Sequence, residues 1–151
     1  MSYENGKNYS GNRNGQNRGG TSEISVTQTF EDWKYDSKWI TDKADKSLID
    51  FAEKAGKYMA DMKLTNSKIR NVYGEIKRIQ MGTFEKEKPS FYLLRPKVAY
   101  ALGRDRRNKG LEMFKVVFDA AFVHVSDDKT YKNFCNLIEA ILAYHKAYGG
   151  Q

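Results

Sequence analysis

Basic residues are concentrated in the middle of the chain, in a pattern suited to binding a polyanion. Residues 65–107 contain 11 basic and 4 acidic residues, whereas the segments before and after carry equal numbers of the two signs. The whole net charge of +7 therefore comes from this middle segment. A protein without a charged ligand would tend to intersperse its charges, whereas a nucleic acid requires a local excess of cations against its phosphates.

The first group of cations falls on a predicted helix over residues 66–81. Thr65 is a good N-cap, and apolar residues follow at three- and four-residue steps. The polar side carries a first basic stripe, with Lys68 near the helix start and then Arg70, Gly74, Lys77, Arg78 and Met81. Glycine inside a helix costs about 1 kcal/mol relative to alanine, so Gly74 suits a point of close approach. Two interpretations stay open: a cationic face for a phosphate chain, or a solvated face with Gly74 packed against another helix.

A second basic stripe lies around Pro96. Proline suits the first turn of a helix, so we expect Pro96 to open or kink a helix that ends near residue 104, after a shorter helical segment over 84–94. This stripe consists of Arg95, Lys97, Tyr100 and Arg104. Aromatic rings among cations can stack on bases, although a half-buried Tyr100 with snorkelling cations is the alternative. Arg106 and Arg107 continue the charge into a basic loop, and without a base-reading motif the expected contacts are to phosphate and ribose.

Residues for catalysis or metal binding are few and scattered. His124 ends the predicted central helix and His145 lies on the apolar stripe of the last helix, so each is expected to be structural. Cys135, the single cysteine, also lies on an apolar stripe. No cluster of metal ligands and no glycine-rich phosphate loop is present. We expect no catalytic residue, no metal and no cofactor, and a small ribonuclease using His124 or His145 is the least favoured alternative.

The elements that would position the basic residues are predicted to be helical. The two prolines and the lack of sustained alternation argue against a sheet. We expect an all-α fold, an irregular bundle of five or six helices forming a single domain over residues 24–151. Residues 24–41 are ambiguous, with a short helix expected around 31–40, and the apolar segment 111–125 should be the central helix.

Composition also gives expectations for the ends of the chain and its location. Residues 1–23 are rich in Gly, Asn, Ser and Arg and nearly free of aliphatic residues, so they are predicted to be a disordered tail. A single cysteine, with no signal-peptide core and no long apolar run, indicates a soluble, cytoplasmic protein that has no membrane partner.

Two motifs in the middle segment resemble a known family. An L-T-x-S-x-I-R helix start lies at residues 64–70, and an L-x-P-K-x-A-Y-x-x-G-R segment lies at 94–104. In this order and spacing they resemble the small helical subunit of type III-A CRISPR interference (Csm) complexes. The resemblance extends over roughly residues 64–151, and the segment before residue 42 has no counterpart in it.

The resemblance implies a subunit that is not itself a nuclease. Such subunits stack in several copies along a ribonucleoprotein filament and line a channel that holds guide RNA paired with target RNA. They lie beside the repeated backbone subunit and the large subunit. The positions that match are Lys68, Arg70, Lys77, Arg78, Arg95, Lys97 and Arg104. The second basic stripe and the basic loop add Tyr100, Arg106 and Arg107 as candidate nucleic-acid-binding residues. The alternatives are a helical interaction module whose basic patch meets a protein partner, and the small subunit of type III-B complexes.

Overall fold

The structure, a computed structural model, describes residues 24–151, and the tail predicted over 1–23 lies outside the described residues. The described part contains seven helices and no strand, which confirms the predicted all-α class. They are α1 (Val26–Asp32), α2 (Lys38–Thr41), α3 (Lys46–Asp61), α4 (Asn66–Gln80), α5 (Phe84–Arg104), α6 (Lys109–Phe122) and α7 (Asp128–Ala147). Seven helices are present where five or six were expected. The segment before residue 42, for which one short helix was expected around 31–40, forms the two short helices α1 and α2.

The core forms where α3, α6 and α7 meet. α6 is buried along most of its length, in agreement with its predicted central position, and α7 packs against α2, α3, α4, α5 and α6. At the α5 side of the core the rings of Phe91 and Phe122 stack with centroids 4.4 Å apart, and Phe134 meets Phe91 edge-on at 6.0 Å. Burial of these rings contributes hydrophobic stabilisation that holds α5 in place.

α5 is one continuous helix, so the predicted break near Pro96 is wrong. Pro89 and Pro96 both lie inside it and both are exposed. An interior proline removes a helical hydrogen bond and costs about 3 kcal/mol. On the exposed side the freed carbonyl groups can bond to water, while Phe91 and Leu94 are fully buried on the opposite side. Tertiary packing therefore outweighs the tendency of the two prolines to break the helix.

The start of α7 fixes the positions of α4 and α5. The buried Tyr131 hydroxyl donates a hydrogen bond to the Ile76 carbonyl of α4 over 2.6 Å. The Asp128 carboxylate accepts one from the Phe84 backbone N–H, at the first residue of α5, over 2.7 Å. Burial raises the pKa of the Tyr131 hydroxyl, so it stays a neutral donor. These two bonds join both helices of the basic segment to the core.

The tightest helix contact is between α3 and α7. A Cβ built on Gly56 of α3 would lie 2.6 Å from the backbone nitrogen of His145 and 2.6 Å from the carbonyl oxygen of Ile141. Only glycine allows the two backbones to come this close. His145 is itself fully buried, and its Nε2 donates to the Leu64 carbonyl over 2.6 Å, just before α4 begins.

α4 begins at the predicted position, although its capping differs from the prediction. The Thr65 backbone is extended, as at an N-cap, but its side chain makes no bond to the helix. Its hydroxyl pairs instead with the Ser67 hydroxyl at 2.9 Å. The backbone N–H of Asn66 donates to the carbonyl of Gln151, so the C-terminal segment satisfies one of the free N–H groups of the helix start.

Among the described residues, no helix is both long enough and apolar enough to cross a membrane.

Candidate nucleic-acid interface

α4 and α5 form a helical hairpin with a groove at the end away from the connecting turn. The groove has a volume of about 910 Å³. α4 contributes Ser67, Lys68, Asn71 and Val72, and α5 and the residue after it contribute Leu93, Pro96, Lys97, Tyr100, Ala101, Arg104 and Asp105. The groove therefore brings together Lys68 of the first basic stripe and three members of the second.

The groove carries an excess of positive charge. Lys68 Nζ lies 3.3 Å from Asp105 Oδ2, in a pair that is partly exposed. Within residues 24–151, Lys97 and Arg104 have no carboxylate partner within ion-pair distance. Lys97 still acts at longer range: the pKa of Glu75 is lowered mainly by a hydrogen bond from Arg78 and further by the charges of Arg78 and Lys97. Two of the three groove cations are thus free to pair with a ligand anion.

Tyr100 is exposed, so the alternative that its side chain is half-buried is wrong. Its exposed fraction is 67 %, and the neighbouring Leu93 is 57 % exposed. The Arg104 guanidinium carbon lies 5.8 Å from the centroid of the Tyr100 ring, which is within cation–π range. The groove consequently combines an open aromatic ring with cations that border it.

The outward face of α4 is bare around Gly74. A Cβ built on Gly74 would meet no atom within 4 Å, so the alternative that Gly74 packs against another helix of the described chain is wrong. Arg70, one turn earlier, is exposed, and Met81 is 89 % exposed. In the part of the chain that the structure describes, neither Arg70 nor the exposed Arg106 and Arg107 makes an ion pair.

The remaining predicted site residues already form ion pairs with carboxylates of the protein itself. Lys77 bonds to Glu139 of α7, and its Nζ lies 5.4 Å from the centroid of the Tyr73 ring. Arg78 bonds to Glu75 at 3.0 and 2.6 Å and to Glu87 at 3.1 Å, and both carboxylates raise its pKa.

Arg95 of α5 also forms an ion pair, with a carboxylate of α6. Its Nε lies 3.5 Å from Asp119 of α6, and its guanidinium is 5.5 Å from the centroid of the Phe122 ring. Successive residues of a helix point in directions about 100° apart, so members of the first basic stripe face two different neighbouring helices. Lys77 turns towards α7, while Arg78 turns towards α5.

The site residues predicted from the sequence did not include the polar residues of the groove. Ser67 and Asn71 lie on the same side of α4 as Lys68, and the amide of Asn71 makes no hydrogen bond among the described residues. The helical spacing of 67, 68 and 71 could have revealed them, because residues three and four apart share a face. Asp105 was counted only as one of four acidic residues, although its position directly after Arg104 placed it beside the second basic stripe.

The residues considered for catalysis lie away from the groove. His145 has no exposed surface, and His124, just after α6, is partly exposed but does not line the groove. Cys135 is buried, and burial raises the pKa of its thiol to about 11, far from the range of a reactive thiolate. Over residues 24–151 no group of three or more His, Cys, Asp or Glu side chains could hold a metal ion. What the groove can do chemically is neutralise phosphate and offer a ring for stacking.

Residues 42–151 match the family model described as Csm2 Type III-A. The match contains α3 to α7 and every predicted site residue, whereas α1 and α2 lie outside it. No curated protein and no solved structure matches the chain. Because the family model covers well over half of the sequence, the chain belongs to the Csm2 Type III-A family, the structural small subunits of type III-A Csm complexes.

Proposed function

We propose that this small subunit is a non-catalytic RNA-binding component of the type III-A effector ribonucleoprotein. In this role it contacts the backbone of paired guide and target RNA through its basic face and bridges neighbouring subunits in cytoplasmic antiviral defence. Its partners are the repeated backbone subunit, the large subunit and further copies of itself. The observation that carries the proposal is the set of cations on α4, α5 and the following loop that have no carboxylate partner among the described residues.

The state of these cations supports contact with phosphate. Arg70, Lys97 and Arg106 are exposed and make no ion pair within the described chain, so a ligand anion need not displace a carboxylate of the protein. Each phosphate that a cation neutralises releases a counterion, which makes affinity fall with salt. Contacts of this kind carry no sequence information, as suits a subunit that must accept any guide sequence.

The lack of catalysis is supported by the surroundings of the residues that could act as nucleophile or base. His145 is enclosed in the core with Nε2 bonded to the Leu64 carbonyl. Cys135 is enclosed as well. Neither group, nor the partly exposed His124 just after α6, lies among the groove residues.

The test is a double substitution of two unpaired cations, Arg70→Ala with Lys97→Ala. At about 0.15 M salt, where charges beyond about 8 Å are screened, we expect the Kd for duplex RNA to rise about tenfold. The slope of log K against log salt should become shallower by about one to two, because one or two fewer counterions are released. Fluorescence anisotropy across a salt series measures both quantities.

A matched control has the same change in net charge elsewhere. Lys54→Ala with Lys132→Ala removes two exposed cations from α3 and α7, outside the basic segment. This control should leave affinity and salt slope unchanged. Equal behaviour of the two double variants would refute the proposal.

A second candidate function is a protein-interaction module in which RNA contact is incidental. The exposed apolar side chains of Met81 and Leu93 favour it, because a protein partner could bury them. The two functions differ after nuclease treatment. A subunit that docks fully on the purified neighbouring subunits without RNA, and never cross-links to RNA, would be an interaction module.

A further inference from the structure

We propose that the groove between α4 and α5 takes an unpaired nucleobase of the bound RNA, stacked on Tyr100, with the adjoining phosphates on Lys97 and Arg104. This inference rests on the proposed RNA-binding function. It adds a second kind of contact, since pairing with the RNA backbone requires cations alone.

The apolar part of the groove has no role in a contact with phosphates. Leu93 and Tyr100 are both more than half exposed there, next to Pro96 and Ala101. A phosphate chain is charged and hydrated, so it cannot remove this surface from water favourably. A nucleobase can, because both of its faces are apolar and stack on aromatic rings regardless of its identity.

The charge of the groove selects an anionic ligand. The Arg104 guanidinium lies beside the Tyr100 ring, and Lys97 lines the same groove. Neither cation has a carboxylate within ion-pair distance among the described residues, while Asp105 is already paired with Lys68. A ligand with an apolar ring and a neighbouring negative charge fits this combination. A nucleotide has both, linked through its ribose.

The polar groups fit the edge of a base. Asn71 lines the groove, and its amide offers a donor and an acceptor that no described residue uses. Unpaired bases are commonly recognised by stacking together with hydrogen bonds of this kind to their edges. The volume of about 910 Å³ lies in the range of small-ligand sites, which an unpaired nucleotide fits.

The surroundings of the groove favour RNA over an acidic peptide with an aromatic side chain. Arg106 and Arg107 follow Arg104 and Asp105 directly after the end of α5. Both are exposed and without an ion pair in the described chain. A strand that leaves the groove at this end would meet further cations, which a polymer with a charge on every residue can use.

The experiment compares three RNAs of about ten nucleotides, a length within the usual site sizes of single-strand binders. They are oligouridylate, an abasic strand with the same phosphates, and a fully paired duplex. The full chain should bind oligouridylate about tenfold more tightly than the abasic strand, measured by anisotropy at fixed salt. Tyr100→Ala should lose that tenfold for oligouridylate and leave the abasic strand and the duplex unchanged, whereas Tyr100→Phe should keep it.

Tyr92→Ala is the matched control, because Tyr92 is an exposed tyrosine of the same helix that does not line the groove. It should leave the preference for oligouridylate intact. Equal affinity of the wild-type chain for oligouridylate and the abasic strand would overturn the inference. It would also be overturned if Tyr100→Ala weakened docking on the neighbouring subunits without changing RNA affinity, since the groove would then be a protein site.

The same measurements separate this inference from the proposed function on which it rests. Binding of the duplex that depends on Arg70 and Lys97, without any dependence on the base, would leave the proposed function standing and remove only the nucleobase site. If the wild-type chain bound none of the three RNAs, both the nucleobase site and the proposed RNA-binding function would be refuted.

Discussion

Two helix pairs in this molecule each contain a glycine, and they use it in opposite ways. Between α3 and α7, Gly56 lets two backbones meet so closely that a Cβ would lie 2.6 Å from backbone atoms of the partner helix. In the α4–α5 hairpin, Gly74 faces open space. The first pair encloses His145, whereas the second leaves Tyr100 and several cations at the surface. The comparison separates a pair that holds the fold together from a pair that is available to a ligand.

The largest expected effect is the separation of α3 from α7. Gly56→Ala places a methyl group against backbone atoms of Ile141 and His145, which cannot rotate away as a side chain would. The helices must separate, and we expect a loss of roughly 3 kcal/mol in the free energy of unfolding. Urea unfolding followed by circular dichroism measures this loss. An unchanged unfolding midpoint would show that α3 and α7 are not as tightly packed as described here.

The second prediction concerns Gly74 in the α4–α5 hairpin. Gly74→Ala adds a methyl group where nothing lies within 4 Å, so we expect stability to rise by about 1 kcal/mol. If RNA approaches the bare backbone at this point, its affinity should fall while stability rises. The same urea titration, together with anisotropy against duplex RNA, gives both values. A loss of stability would contradict the open environment of Gly74.

The smallest effect sharpens the charge of the groove. Asp105→Asn removes the one carboxylate among the groove residues and frees Lys68 from its pair. We expect RNA affinity to rise about threefold and the salt slope to become steeper by about one, because Lys68 then neutralises a phosphate. Asp61→Asn is a suitable control, since Asp61 is also a carboxylate paired with a lysine, but it lies at the end of α3. Equal shifts in the two variants would show that the groove is not the binding surface.

Features that depend on neighbours in the chain were predictable from the sequence. The spacing of apolar residues indicated the helical class, and α4 was predicted over 66–81 and found over Asn66–Gln80. Local signals had limits even here. Residues 24–41 were ambiguous, and Val26 and Thr27 favour extended structure, yet both lie in α1. The Ser25 hydroxyl caps this helix by accepting from the Gln28 N–H at 3.1 Å, and Val26 is buried. Capping and burial therefore outweigh the β-preference of these two residues.

The sequence by itself determined that the charge is concentrated in residues 65–107, which residues carry it, and the family motifs that surround it. Only the tertiary structure decided which cations are free. Lys77 is neutralised by Glu139 and Arg95 by Asp119, and each carboxylate lies on a different helix from its partner. Spacing along one helix reports which side chains share a face, but it contains no information about the charge that another helix brings to that face. The same packing brought Lys68 beside Lys97 and Tyr100, and so produced one groove from two separate stripes.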